Sequence, residues 1–187
     1  MIRDLILKNR SYRRFYQDEK ITVDILKELV DLARLSPSAR NAQTLKYFLS
    51  VDETTNQKIF PYLSWAGYLT KWDGPVEGER PSGYIIVLND TTISSNYFCD
   101  DGIASQSILL GAAEKGLGGC IIASVNRRGL QIDLEIPEQY HIIHAIALGK
   151  PKEKVVIDEM KNEDFKYWRD HDQVHHVPKR KLDDLII

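Results

Sequence analysis

The strongest constraint on the fold is the segment 102–115, which is apolar nearly all round if it is helical. Its apolar residues are Ile103, Ala104, Ile108, Leu109, Leu110, Ala112 and Ala113. A helix without a polar face is stable only when other elements cover it on more than one side. We therefore predict a buried helix here, capped by Asp100 and Asp101 and placed in the core or at a subunit interface.

Four short runs of β-branched and aromatic residues have the composition of strands. They lie at 47–51, 84–88, 120–125 and 142–148. An amphipathic helix is predicted from the candidate N-cap Thr22 to a stop at Ser36-Pro37, and a shorter helical segment precedes it. Because helices come before any strand, strict strand–helix alternation is not expected, and we predict an α+β fold in which helices cover a sheet.

The chain has 187 residues and a formal net charge of −2. No repeat or linker divides it, so we expect one domain over residues 1–187. The near balance of 25 basic and 27 acidic residues argues against a nucleic-acid partner or an anionic membrane surface. The apolar runs are short and Asp4 is untypical of a signal peptide, so we expect a cytoplasmic protein.

The cysteines and histidines do not predict a metal or redox site. Cys99 and Cys120 lack the spacing of a zinc site or a thiol pair, and we predict that both are small core residues. His171, His175 and His176 are close enough in sequence to chelate an ion, but no cysteine or suitable acid completes a ligand set. The sequence also lacks the motifs of serine hydrolases and of nucleoside triphosphatases.

Two basic clusters lie at opposite ends of the chain. Arg10-Ser11-Tyr12-Arg13-Arg14 combines guanidinium groups, which hold phosphate bidentately, with a hydroxyl donor. The second cluster is Lys179-Arg180-Lys181. Each cluster alone is compatible with a solvated surface, whereas the two together could converge on one anion.

Two other segments are rich in turn-forming residues. Segment 36–43 is dense in hydrogen-bonding groups, which suit either a planar polar ligand or the turn itself. The glycines of segment 116–119 follow a helix and open a strand, the reverse of a Rossmann dinucleotide loop. We interpret them as a helix C-cap followed by close backbone packing.

Taken in order, these motifs resemble those of the nitroreductase family of FMN-dependent oxidoreductases. Segment 10–15 resembles the family's phosphate-binding arm, and segment 36–43 resembles its Ser-Pro-Ser turn. The other matching segments are 101–106, 116–120, 147–151 and 179–181 before an apolar tail. The resemblance implies a mixed or antiparallel sheet flanked by helices, in an intertwined homodimer with FMN at the interface.

The resemblance also implies the cofactor-binding residues. Those expected for the phosphate and polar tail of FMN are Arg10, Ser11, Arg13, Lys179 and Arg180. Those expected around the flavin are Pro37, Ser38, Ala39 and Asn41, across the subunit interface, with Gly118 and Gly119. A phosphate monoester carries about −1.5 to −2 charges near neutral pH and calls for several convergent donors. Segment 60–82 shows no match and is expected to be a variable lid or insertion, and segment 170–187 a C-terminal arm.

The implied activity is carried by the flavin, with no side chain acting as a base or nucleophile. A hydride from NADH or NADPH reaches flavin N5, and a nitroaromatic, quinone or similar acceptor then enters the same cleft in a ping-pong cycle. Three alternatives stay open. They are a non-enzymatic FMN-binding or storage protein, a flavoenzyme of this fold with another redox reaction such as dehalogenation or flavin breakdown, and a nucleic-acid module using residues 10–14.

Overall fold

The computed structural model describes all 187 residues and contains five α-helices and eight strands. The helices are α1 (Ile2–Lys8), α2 (Val23–Arg34), α3 (Glu53–Ile59), α4 (Asp100–Glu114) and α5 (Arg127–Asp133). The strands are β1 (Phe15–Tyr16), β2 (Leu45–Ser50), β3 (Gly83–Asp90), β4 (Gly118–Ile122), β5 (Tyr140–Pro151), β6 (Val155–Glu159), β7 (Trp168–Arg169) and β8 (His175–Lys179). Short 3₁₀ turns occur at Ala39–Asn41, Phe60–Tyr62 and Leu182–Leu185.

The main sheet is antiparallel and is organised around β5. Strands β3, β4 and β1 all pair with β5, and β2 pairs with the other edge of β3. Ile146 in β5 lies opposite Ile85 of β3 and Ile121 of β4, so the two strands flank β5 on its two sides. The predicted α+β fold, with an antiparallel sheet and flanking helices, is confirmed.

Helices and loops cover both faces of the sheet. Because successive side chains of a strand point in opposite directions, one strand contributes to both core clusters. In β3, Ile86 belongs to one core cluster and Ile85 to the other. The first cluster is completed by α3, α5 and the segment around Trp65, and the second by α2 and α4. A sheet covered on both faces explains why its strands read as nearly continuous apolar runs.

Helix α4 is buried as predicted, although its N-terminus differs from the prediction. Ala104, Ile108 and Ala112 are at most 3% exposed and pack in the cluster that contains α2. The helix begins at Asp100 with Cys99 as its N-cap, and no side chain caps it. The prediction that Asp100 caps this helix is therefore wrong. No helix of the chain is both long and apolar enough to cross a bilayer.

The remaining outcomes concern the two cysteines, the end of β4 and the glycines before it. The prediction that both cysteines lie in the core is wrong for Cys99, which is exposed before α4, and correct for Cys120, which is buried in β4. The predicted strand 120–125 ends at Ile122. The C-cap interpretation of the glycines is confirmed, because Gly116 has φ +71° and the N–H of Leu117 donates to the carbonyl of Ala112 at 2.8 Å.

Candidate functional site

The two chain ends meet at a cavity of about 340 Å³, named here the basic cavity. Its lining comes from the segment after α1, from α4, β4 and β8, and from Tyr167. The lining residues are Asn9, Arg10, Ser11, Arg13, Gln106, Leu109, Gly119, Ile121, Tyr167, His175, Val177 and Lys179. Arg10, Arg13 and Lys179 are cationic, and no carboxylate lines the cavity. The arrangement is suited to an anion that needs several hydrogen-bond donors.

The glycines of β4 let the arm at residues 9–14 pass close to the sheet. The N–H of Tyr12 donates to the carbonyl of Gly119 at 3.0 Å. A Cβ on Gly118 would lie 2.4 Å from Cδ2 of Tyr12, so a larger residue there would push the arm away. Gly119 lines the basic cavity, whereas Gly118 packs under Tyr12 and does not line it.

Arg13 is held in place by four contacts. Its backbone N–H donates to the carboxylate of Glu153. Its guanidinium Nη1 donates to the carbonyl of Ser11 at 3.2 Å and lies 3.3 Å from Nε2 of His175. The guanidinium also lies over the ring of Tyr167, 4.9 Å from the ring centroid. These contacts hold the guanidinium of Arg13 in place beside the basic cavity, which Arg13 lines.

His175 contacts the guanidinium of Arg13. Its sequence context had suggested only a metal ligand. The ring is 1% exposed, and burial together with Arg13, Arg169 and His176 lowers its pKa to about 4. The imidazole is therefore neutral at pH 7, and its Nε2 accepts a hydrogen bond from Arg13. The proton must then sit on Nδ1, which is buried and has no partner in the chain.

Arg14, although it belongs to the same basic motif, does not line the basic cavity. Its Nε and Nη2 donate to the two carboxylate oxygens of Glu79 at 2.6 and 2.7 Å. Lys152 makes a second ion pair with Glu79 at 3.1 Å. The hydrogen bond from Arg14 is the main reason that the pKa of Glu79 falls to about 2. Arg14 is thus a structural residue.

The pH dependence of stability should reveal this ion pair. Because the pKa of Glu79 is lower in the folded protein than its ordinary value of 4.5, its contribution is present above pH 4.5 and disappears as the pH falls towards 2. We expect Glu79→Gln to be less stable than the wild type at pH 7 and the difference to shrink between pH 4.5 and 2. Urea unfolding at several pH values measures this, and a difference that is independent of pH would contradict the assignment.

The structure separates the two predicted cations of the C-terminal cluster. Lys179 ends β8, which pairs with β6, and its backbone carbonyl accepts a hydrogen bond from Met160 at 2.8 Å. Lys179 is exposed as well, but it lines the basic cavity. Arg180 follows the strand, is exposed and does not line that cavity.

The Ser-Pro-Ser turn lies at a different cavity of about 230 Å³, which is lined by Pro37 and Ser38 but not by Ala39 or Asn41. It shares no lining residue with the basic cavity. Asp100 holds this turn, because Ser38 Oγ and the N–H of Ala39 donate to its carboxylate at 2.6 and 2.8 Å. A single chain therefore does not bring the two predicted groups of residues into one cavity.

A third cavity of about 180 Å³ adjoins the basic cavity and was missed by the sequence analysis. The two share Arg13, Ile121 and Tyr167. The other lining residues are Ser64, Trp65, Ala66, Gly67, Cys120, Ile122, Ala123 and Ser124. The predicted strand 120–125 hid this cavity, because Ala123 and Ser124 lie in the loop after the true end of β4, and loop residues often carry a binding site.

The chain is similar to a known protein family and to several of its members. The model of the Nitroreductase family matches residues 6–67 and 81–150. A relative from Methanothermobacter thermautotrophicus, provisionally named an NADH dehydrogenase/NAD(P)H nitroreductase, is 30% identical over 154 residues, which cover 79% of this chain and 76% of the relative.

Solved structures agree with the fold. A nitroreductase family protein from Streptococcus pneumoniae TIGR4 has a TM-score of 0.71 at 15% identity and covers 100% of this chain and 99% of its own. An FMN-dependent nitroreductase from Clostridium difficile R20291 has a TM-score of 0.66 at 22% identity, with coverages of 87% and 92%. With most of its length matched by the family model, this chain belongs to the nitroreductase family.

Proposed function

We propose that the chain is a single FMN-binding domain that uses NADH or NADPH to reduce nitroaromatics, quinones or similar acceptors. The observation that carries this proposal is the basic cavity, in which cations from both ends of the chain converge without a carboxylate. Membership in the nitroreductase family and the names of the relatives support an oxidoreductase.

The residues of the basic cavity fit the phosphate of FMN. Arg10, Arg13 and Lys179 supply positive charge, and Ser11 supplies a hydroxyl. The buried Nε of Arg10 has no partner within the chain, so it is a donor available to an anion. A phosphate with a charge near −2 would compensate these cations and accept their hydrogen bonds.

The rest of the proposed site needs a second chain. The third cavity shares Ile121 and Tyr167 with the basic cavity, so it provides adjoining space for the ring of the flavin. We propose that the turn at 36–43 reaches this ring from the partner in a homodimer. Apolar residues of the C-terminal tail support an association, because they are exposed in the single chain; they are Leu182, Leu185, Ile186 and Ile187.

Bound FMN would supply the chemistry by taking a hydride from NADH or NADPH and passing two electrons to the acceptor. The side chains of this protein would bind and orient the reactants, and the cations would favour negative charge near the flavin. Overall, NAD(P)H, one proton and a quinone give NAD(P)⁺ and a hydroquinone, so no further reductant is needed.

Reconstitution followed by anaerobic titration tests the proposal. We expect the purified protein to bind FMN with the absorption bands of an oxidised flavin, and NADH or NADPH to bleach them. Adding a quinone to the reduced protein should then restore the absorption bands. Bound FMN that neither nicotinamide reduces would favour a storage protein, and a chain that does not bind FMN after reconstitution would refute the proposal.

The two C-terminal cations give a matched pair of variants. Lys179→Ala is expected to weaken FMN binding by about 10-fold or more, because a hydrogen bond to a charged group contributes about 1.5–3 kcal/mol. Arg180→Ala should change the FMN dissociation constant by less than about threefold, since Arg180 is exposed outside the cavity. Fluorescence titration of both variants measures the difference, and the opposite order would place the phosphate next to Arg180.

A further inference from the structure

Three aromatic side chains form a cluster, named here the aromatic wall, beside the third cavity. The ring centroids of Tyr68 and Tyr167 are 4.9 Å apart, and those of Tyr68 and Phe165 are 6.1 Å apart with the rings nearly edge to face. The Tyr167 hydroxyl accepts a hydrogen bond from the backbone N–H of Tyr68 at 3.4 Å. The hydrogen bond and the tilted ring contacts link the three side chains without a ligand.

Of the aromatic wall, only Tyr167 lines the cavities, while Tyr68 and Phe165 continue from it on the exposed surface. Tyr167 lines both the basic and the third cavity, and Arg13 covers one of its faces. Tyr68 is 46% exposed and Phe165 is 58% exposed. Adjoining aromatic rings left this open beside a cavity are typical of a surface that binds a ligand.

The aromatic wall is also built from parts of the chain that the family model does not match. Tyr68 lies between the two matched ranges, 6–67 and 81–150, and Phe165 and Tyr167 lie after the second. A second contact between the two unmatched segments is made by Arg169, whose guanidinium lies 4.3 Å from the ring centroid of Trp72. The wall is therefore built by two segments outside the matched ranges, beside a cavity that the matched part of the fold lines in part.

We propose that the aromatic wall sets the acceptor preference of the site, by stacking planar electron-poor rings against Tyr68 and Phe165. This inference rests on the proposed function, because it concerns the acceptor of the same site. Tyrosine and phenylalanine rings have negative faces, which attract electron-poor rings such as quinones and nitroaromatics. Acceptors without an aromatic face gain nothing from these two residues.

Leucine substitutions test the wall, because they remove the ring and keep much of the apolar area. We expect Tyr68→Leu and Phe165→Leu each to weaken binding of 1,4-naphthoquinone to the oxidised holoprotein by about two- to tenfold. Calorimetry without a reductant measures this, so the result does not depend on turnover. In steady-state assays kcat/KM for naphthoquinone should fall by a similar factor, whereas kcat/KM for ferricyanide, which has no aromatic face, should stay the same.

Tyr16→Leu is the matched control, since Tyr16 is 43% exposed and its ring is not part of the aromatic wall. It should leave both acceptors unchanged, and the FMN dissociation constants of all the variants should equal that of the wild type. Unchanged naphthoquinone binding in both wall variants would overturn the inference, as would an equal loss for ferricyanide. A wild type that binds naphthoquinone but is not reduced by NADH or NADPH would instead refute the proposed function and leave the stacking measurement valid.

Discussion

Replacing Arg13 by alanine is expected to weaken FMN binding by about 10- to 150-fold. The substitution removes a charged contact to the proposed phosphate, and such a contact contributes about 1.5–3 kcal/mol. The backbone N–H of Arg13 can still donate to Glu153, so the path of the arm should persist. Fluorescence titration with FMN gives the dissociation constant, and thermal unfolding of the apoprotein shows whether the fold is intact.

Two further variants define what the arginine contributes. Arg13→Lys should bind FMN with intermediate affinity, because lysine keeps the charge and loses the planar set of donors. Arg3→Ala, at an exposed arginine that lines none of the three cavities, should have no effect on FMN affinity. If Arg13→Ala bound FMN as tightly as the wild type does, the phosphate would have to lie elsewhere.

Replacing Arg169 by methionine is expected to destabilise the fold by about 3–5 kcal/mol. The Arg169 guanidinium donates to Glu153 at 2.9 Å, and the two side chains are 8% and 0% exposed. Removal of one partner leaves a buried charge without compensation, which costs far more than the pair contributes in itself. Urea unfolding of the apoprotein measures the loss.

A double variant separates the charge from the packing. Glu153→Gln combined with Arg169→Met should recover part of the lost stability, because the glutamine carbonyl can still accept the hydrogen bond from Arg13 and no charge stays buried. The exposed pair of Arg34 and Asp31 gives the comparison, since Arg34→Met should cost less than about 1 kcal/mol. If Arg169→Met lowered the free energy of unfolding by less than about 1 kcal/mol, Glu153 would have to be solvated in solution.

The elements with a clear periodicity were predictable from the sequence. Helix α4 and the strands β3 and β5 have apolar patterns that burial on two sides explains, and the edge strand β2 has the aromatic and apolar composition of a strand. Strands β6, β7 and β8 were not predicted, because they are short and mostly polar. In β8, Pro178 and two adjacent histidines give no alternation, and the strand exists because β6 and β7 pair with it.

The chemistry of the basic cavity was predictable only in part. The charge of Arg10, Arg13 and Lys179 suggested an anion site, and the structure places all three at one cavity. Residue type alone could not separate Arg13 from Arg14, and only the family resemblance left Arg14 out; the physical difference is made by Glu79, which lies 65 residues away in the chain. Asp100 was expected to cap α4, whereas it holds the Ser-Pro-Ser turn through Ser38. Such pairings depend on tertiary contacts that no local pattern records.

The comparison of FMN with riboflavin tests the central claim most directly, because the two ligands differ only in the phosphate. We expect the wild type to bind FMN at least about 100-fold more tightly than riboflavin, as several charged hydrogen bonds to the phosphate should together provide. Lys179→Ala should reduce this preference and leave riboflavin affinity unchanged. Equal affinity of the wild type for the two flavins would contradict a phosphate site at the convergence of the two chain ends.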